Sequence, residues 1–551
     1  MLFQLTKTKF FPAFVFLLLL SACGGNDKTK SQQVFRFNEL GDVTSLDPAL
    51  SGSFENNWAV HQLFNGLVEM DDELRVRPCI AKSWSISDDG LVYRFLLRRD
   101  VFFQDAPEFE GGKGRAVIAS DFVYSFSRLF NKSISNASTL VSMIAHDPEK
   151  GENGFTAVND STFEIRLRQP FAPFAGVLSM KYFSVVPHEA ADKWKADFGR
   201  HPVGTGPFQL RVWKEKERLV LDRNPNYFKM DENGKRLPYL ESVNVSFIKS
   251  AEAAFMQFLS GDQDMLSGID AINKELVLAR DGSGLKPEMK QRYVLQTGPF
   301  LKTDYLGILI DGPGSGGELN PLQKKQVRQA INAAINRERI VRFLRYNIGT
   351  PAVHGFIPDG MNAYNPDKLN GFTYDPDKAR QLLIDAGFPR GKGLPTIKLT
   401  TTASYLDIAD DIHNQLSQVN IPCEIEILQP AMFKTAVADG KVNFFRKSWI
   451  GDYPDPENFT ALFYSKNFSP NGTNYMHFSS AAYDKLYEQC LTEQTDSVRS
   501  RLFLEMDQLL VEESPVVPLF YDEVVRLVQK NVQGLTVNPT NLLSLERVKK
   551  Q

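Results

Sequence analysis

Long apolar runs are scarce in this chain of 551 residues. None reaches the 18 to 20 residues that a helix needs to cross a bilayer, which excludes a polytopic membrane protein. Cysteine is rarer still, at 4 residues, so no disulfide scaffold holds the fold. Charge of one sign is not in excess: 63 Lys and Arg stand against 66 Asp and Glu, a formal net charge of −3. A non-specific nucleic-acid binder would carry a strong basic surplus, so no nucleic-acid partner is expected. Histidine occurs 7 times, scattered and without the spacing of a metal site. There is no Gly-x-Ser-x-Gly elbow and no His-Glu-x-x-His. The glycine-rich stretch 312–317 lacks the Lys-Ser/Thr of a phosphate-binding loop and reads as a loop. No catalytic constellation, cofactor or metal is therefore expected, and the chain does not read as an enzyme.

What is present is an ordinary globular composition, 42% hydrophobic and 23% charged. At this length one core is not enough, and two to four domains are expected. Residues 1–22 stand apart. Lys7 and Lys9 precede the apolar run Phe10 to Leu20, which is broken only by Pro12 and has the length of a signal-peptide core. Leu20-Ser21-Ala22-Cys23 follows and resembles a bacterial lipobox. That resemblance implies cleavage before Cys23, lipidation of its thiol, and a polar tether over 23–33. Lipid would then be the only membrane attachment. Removing 1–22 takes away two lysines and leaves 61 basic against 66 acidic residues. Cys79, Cys423 and Cys490 remain, and both free thiols and a Cys423–Cys490 bridge are open.

Periodicity divides the chain. Residues 92–97, 162–167 and 242–248 alternate as strands, and 120–130 reads as a short helix. Asn320-Pro321 is a helix start, with Asn as cap and Pro in the first turn. Val327, Ala330, Ile331, Ala334, Ile335, Val341 and Leu344 then fall on one helical face. Asp375-Pro376 starts another helix, which Gly387 stops. From there strand (396–401), helix (404–419), strand (423–428), helix (430–439) and strand (442–449) alternate, which predicts parallel strands with right-handed crossovers. One or two helices over 481–513, a short strand over 515–520 and a strand-like tail from 525 close the chain. Gly204-Thr205-Gly206-Pro207 reads as a tight structural turn.

In open α/β sheets ligands bind beyond the carboxyl ends of the strands. The last strand of the alternating unit, Val442 to Trp449, ends on Ile450-Gly451-Asp452-Tyr453-Pro454-Asp455-Pro456. A carboxylate beside Trp449 and Tyr453 is a receptor for a cation, through charge-assisted hydrogen bonds and aromatic faces. The same residues also suit a plain turn, with Asp452 and Asp455 organising the backbone before Pro454 and Pro456.

Nine segments occur in an order that resembles the peptide-binding (oligopeptide/dipeptide/nickel) family of ABC-transporter solute-binding lipoproteins, family 5. They are Ser45-Leu46-Asp47-Pro48, Leu63 to Leu67, Ile80 to Trp84 with Ser87 to Gly90, Ala119 to Ser125, Gly204 to Phe208, Asn226-Tyr227-Phe228, Val327 to Ile331 with Ile335-Asn336-Arg337, Tyr374 to Ala379, and Trp449 to Tyr453. The resemblance implies a two-lobed α/β periplasmic-binding-protein fold of the cluster C type. Lobe one would be discontinuous, from 34–57, 175–300 and 525–551, with an inserted domain at 58–174. Lobe two would span 301–524. It also implies a monomeric, lipid-anchored extracytoplasmic receptor, periplasmic or at the cell surface. Such a receptor closes a cleft over a short peptide and hands it to the permease of an ABC importer. Asp452 would capture the peptide's ammonium. Ser448, Ile450 and Gly451 would offer backbone partners, Trp449 and Tyr453 would line the site, and Arg446 sits where some members meet a ligand carboxylate. The rivals are a receptor for a non-peptide solute (oligosaccharide, metal chelate or haem) and a lipid-anchored hydrolase.

Overall fold

The computed structural model describes residues 33–551 except 315–319 and 362. The leader, Cys23 and most of the tether lie outside the described residues. So does part of the glycine-rich loop.

The architecture is mixed α/β, built on an eleven-stranded sheet that runs through the whole molecule. At one end Ile397–Thr401 is the central strand of a parallel trio, flanked by Cys423–Ile427 and Phe444–Ile450. Phe444–Ile450 pairs next with the long strand Tyr293–Ile308, which pairs with Val516–Gln529. That strand leads through Met265–Ser267 to Val34–Asn38, Ser242–Ser246, Arg218–Arg223 and Phe208–Lys214. A separate four-stranded antiparallel sheet is formed within residues 81–166.

Two long antiparallel strands, Tyr293–Ile308 and Val516–Gln529, therefore connect the halves. Their ladder breaks register between Pro299 and Thr303 and again between Asp304 and Tyr305. Beyond the break, strand alternation sorts side chains onto two faces. Leu306, Ile308 and Phe444 join a core under the helices Lys325–Ala334, Pro376–Asp385 and Leu406–Gln418. Leu301, Tyr305 and Phe445 join another core, with Tyr483, Phe503 and Leu510 from the helices Ala481–Thr492 and Asp496–Glu513. The N-terminal half has its own, phenylalanine-rich core. The tail returns to it and buries Leu535, Leu543, Leu545 and Val548.

The βαβαβ alternation appears as read, and Asp375 caps its helix by accepting from the Lys378 amide at 2.9 Å. Two readings are corrected. The apolar stripe from Val327 to Leu344 is not one helix. The helix stops at Ala334, Ile335 is extended, and the Asn336 side chain caps a new turn by accepting from the Arg339 amide at 2.9 Å. The break turns Arg337 inward, where it donates to the carbonyls of Pro518 at 2.6 Å and Asn332 at 3.1 Å. The strand at 515–520 and the strand-like tail are also a single element, Val516–Gln529. Asp522 and Glu523, which separate its two apolar stretches, lie within the strand and do not end it.

Gly204 and Gly206 owe their identity to close approach: a Cβ on either would lie 2.1 and 2.7 Å from the Leu63 carbonyl oxygen. Cys79, Cys423 and Cys490 are free and buried. Cys423 and Cys490 belong to different cores, which rules out the bridge left open above.

Candidate functional site

The trio's strand order places a topological switch point between Ile397–Thr401 and Phe444–Ile450. Ligands bind at the carboxyl ends of such strands. The edges of Phe444–Ile450 differ. One is paired along its length, from Phe444 opposite Ile308 to Ile450 opposite Lys302. The other pairs only at Phe444 and Phe445, with Leu399 and Thr400. From Arg446 to Ile450 the backbone thus has no strand partner on that side among the described residues. Such an edge is a template for another extended chain.

The strand ends in a turn held by four sets of bonds. Gly451 donates its amide to the Leu301 carbonyl at 2.8 Å, and a Cβ there would lie 3.0 Å from the Phe459 ring. The Asn458 side-chain oxygen accepts from Trp449 Nε1 at 3.0 Å and from the Asp452 amide at 3.1 Å. Asp455 forms a two-pronged pair with Arg499, both contacts at 2.8 Å, and caps the Glu457 amide at 2.9 Å. Tyr453 and Tyr487 both donate their hydroxyls to the buried Glu457 carboxylate.

The two aspartates of the segment therefore part company. Asp455 organises the turn. Asp452 does not: its side chain reaches solvent, and no Lys, Arg or His nitrogen lies within 4.0 Å of it among the described residues. Dense surrounding protein desolvates the carboxylate and holds its pKa above the usual range, against the opposing hydrogen bond from Asn458. The charge faces the first lobe, where it pushes the Tyr182 hydroxyl up, after burial, to about 12. The chain past Asp452 lines a cavity of about 260 Å³ between the lobes, with Leu74, Val76, Pro173 and Gly176 opposite Pro454 and Arg499.

The other named residues spread over the same strand end. Trp449 is half-buried against the second of the two cores, while Ile450 is 45% exposed and Ser448 half-buried. Tyr453 is turned inward, 8% exposed, and packs with the first lobe's core. Arg446 is buried and bonded to Asp304, with its guanidinium 3.2 Å from the centroid of the Tyr405 ring. Burial pushes its pKa down to about 9. Lys302 lies 3.3 Å from Asp304 and 2.7 Å from Asp522, and Arg345 also bonds Asp522. Cys23 lies outside the described residues. Sequence reading missed Asn458, Asp304, Lys302 and Tyr182. The charges at 302 and 304 carried a signal, since the strand Tyr293–Ile308 is otherwise uncharged. Asn458 and Tyr182 carried none.

Replacing Asn458 with Ala removes the acceptor shared by Trp449 and Asp452. Calorimetry should show ligand affinity falling about tenfold or more, from loss of hydrogen bonds worth roughly 1 kcal/mol each. Unchanged affinity would remove Asn458 from the site.

Residues 75–471 match the family model "Bacterial extracellular solute-binding proteins, family 5 Middle". The chain is 26% identical over 527 residues to the glutathione-binding protein GsiB of Salmonella choleraesuis, covering 92% of each. It superposes on HbpA2 from Haemophilus parasuis with a TM-score of 0.79 at 23% identity, covering 94% of this chain and 100% of that one. The ABC transporter-associated periplasmic binding protein DppA of Helicobacter pylori, in complex with the peptide STSA, gives 0.74 at 25% identity, covering 95% and 99%. Among the described residues no helix is long and apolar enough to cross a membrane. With a matched region spanning most of the sequence and relatives aligned nearly end to end, the chain belongs to family 5 of the bacterial extracellular solute-binding proteins.

Proposed function

We propose that this protein captures short peptides between its lobes and delivers them to the permease of an ABC importer, as a monomer anchored by lipid on Cys23. The open backbone edge Arg446–Ile450, running into a carboxylate without a basic partner, carries this reading. A peptide laid along that edge would bond through its main chain, which gives affinity with little dependence on side chains. Its ammonium would meet Asp452. Ser448, Ile450 and Gly451 supply the backbone, and Trp449 flanks the path. Tyr453 acts from beneath, by holding Glu457.

On the paired side of the strand, Arg446 and Lys302 flank Asp304, and Lys302 and Arg345 flank Asp522. Lys274 of the first lobe faces Arg345, and burial and that neighbour push its pKa down to about 8. Arg446 would meet the carboxylate of a short peptide from within this cluster, which also holds Glu523 and Asp359. Arg446 contributes through this cluster while bonded to Asp304. The glutathione-binding and peptide-bound relatives support a ligand of this size and chemistry. Lobe one would comprise 34–57, 175–300 and 525–551 with 58–174 inserted, and lobe two 301–524; the register break near Pro299 supports the limit at 300.

Native mass spectrometry of protein purified from membranes tests both parts of the reading. Peptide masses in the bound fraction and an acylated N-terminal cysteine are expected. A sugar or metal chelate as the retained ligand, or peptide cleavage on incubation, would replace it with a rival.

Affinity should also depend on pH. Asp452 binds an ammonium only when ionised, and its pKa in the empty protein lies above the usual carboxylate value. The bound ammonium lowers that pKa, so binding releases a proton wherever the empty site is protonated. Affinity should be level at neutral pH and fall as pH drops through the raised value, by at most about tenfold per pH unit. Calorimetry on Asp452→Asn should show this slope removed; a slope that persists would assign it elsewhere.

A further inference from the structure

Strand alternation divides the open edge Arg446–Ile450 between two faces of the sheet. Arg446 meets Tyr405 and Asp304 on one. Lys447 stands on the other, between Phe445 and Trp449, where the helix Pro430–Ala438 packs its Phe433 and Val437 into the same core. Its register partner across the ladder is Tyr305, which belongs to that core too.

Lys447 is half-buried, yet its ammonium makes no hydrogen bond and meets no carboxylate within 4.0 Å among the described residues. It lies 4.5 Å from the centroid of the Tyr475 ring. Burial pushes its pKa down, and so do the two charges that act on it, Lys434 of the covering helix and Arg446, both cations. The acids of the neighbouring segments are engaged elsewhere: Asp311 lies 2.9 Å from His477, Asp439 lies 2.7 Å from Lys441, and Asp304 is bonded to Arg446. The Tyr305 hydroxyl, which neighbours Tyr475, is buried and has no hydrogen-bond partner among the described residues.

An aromatic face offsets part of the cost of withdrawing an ammonium from water. A second cation beside it adds to that cost. Two ammonium groups and an unused hydroxyl in one place call for a negative group. A peptide laid along the open edge can bring one. With its ammonium at Asp452, past the carboxyl end of the strand, the peptide runs antiparallel to the strand. The residue opposite Lys447 then lies inside the peptide, with its Cβ about 4.5–5.5 Å away on the same face. Resting on the peptide reading above, we propose that Lys447, together with Lys434, selects peptides that carry an acidic side chain at the position facing it and rejects a basic one there.

The test is calorimetric titration of the full-length protein with tetra-alanine and with derivatives carrying Glu, Gln or Lys at each position in turn. At one position Glu should bind about tenfold tighter than Gln, the gain of one charged contact, and Lys should bind more weakly than Gln. Lys447→Met should abolish that Glu–Gln difference. Equal affinities for Glu and Gln at every position, or a difference that survives Lys447→Met, would overturn the proposal. So would a loss shared equally by the Glu and Gln peptides, which would place Lys447 on the terminal carboxylate instead. In each of these cases the peptides still bind and the peptide reading stands. If no peptide of the set binds, that reading fails and this inference falls with it. If Lys447→Met does not fold, Lys434→Met, at an exposed helix position, decides: a smaller Glu–Gln difference supports the pair, and an unchanged one refutes it.

Discussion

Changing Asp452 to Ala is expected to weaken the binding of a short peptide by about 3–5 kcal/mol, roughly two to nearly four orders of magnitude in Kd. The magnitude follows from closure. In the open molecule the carboxylate reaches water. Once the lobes meet over a ligand, its ammonium is shut away from solvent and needs a fixed opposite charge. Without Asp452 nothing replaces it: the neighbours in the turn are Trp449, Asn458 and Tyr453, and Asp455 is held by Arg499. The empty fold should tolerate the change. Because the folded-state pKa is raised, this carboxyl's contribution to folding is fully present below its unfolded pKa and is lost as pH rises through the folded value. At neutral pH the ligand-free variant should therefore melt no lower than wild type. Calorimetry with a peptide and its N-acetylated form reads the first effect. If the variant kept wild-type affinity for the free-amine peptide, the assignment of this carboxylate would fail.

The second large effect is expected at Arg499. Arg499→Ala leaves Asp455 without its partner, in a pair whose side chains are only 10% and 13% exposed. Breaking a buried pair from one side typically costs about 3–5 kcal/mol. Arg499 also donates to the Cys490 carbonyl at 3.3 Å, so the helix pair behind the turn loosens too. Urea denaturation should show the loss, and peptide affinity should fall with it because the turn carries Asp452. Asp455→Asn in the same chain removes the stranded charge and should recover part of the stability. A loss below about 1 kcal/mol, the range of exposed pairs, would show that the pair is not what fixes the turn.

Sequence reading reached the parts of the fold that repeat. Alternating strands and helices from 396 to 449 announce themselves by period, and the carboxyl-end rule then points to Trp449 and Asp452. From the residues alone both Asp452 and Asp455 also suited a plain turn, because each precedes a proline after one or no intervening residue; the family resemblance singled out Asp452. Only the position of Arg499, 44 residues on, decides which one is tied down. Arg446 and Asp304 are likewise 142 residues apart, and Tyr182 reaches the site from the other lobe. The helix break at Asn336 was hidden because Ile335, Val341 and Leu344 continue the apolar stripe. The buried carbonyls that draw Arg337 inward leave no trace in local pattern.

The two long paired strands that bridge the halves have a mechanical consequence. Side-by-side ribbons resist shear and splaying but bend readily where their rungs are out of step, here around Pro299 to Asp304. Motion between the halves, as the proposed capture requires, would thereby be channelled into a single swing, like a book opening on its spine. Its end position would be read out on a surface remote from the guest that set it.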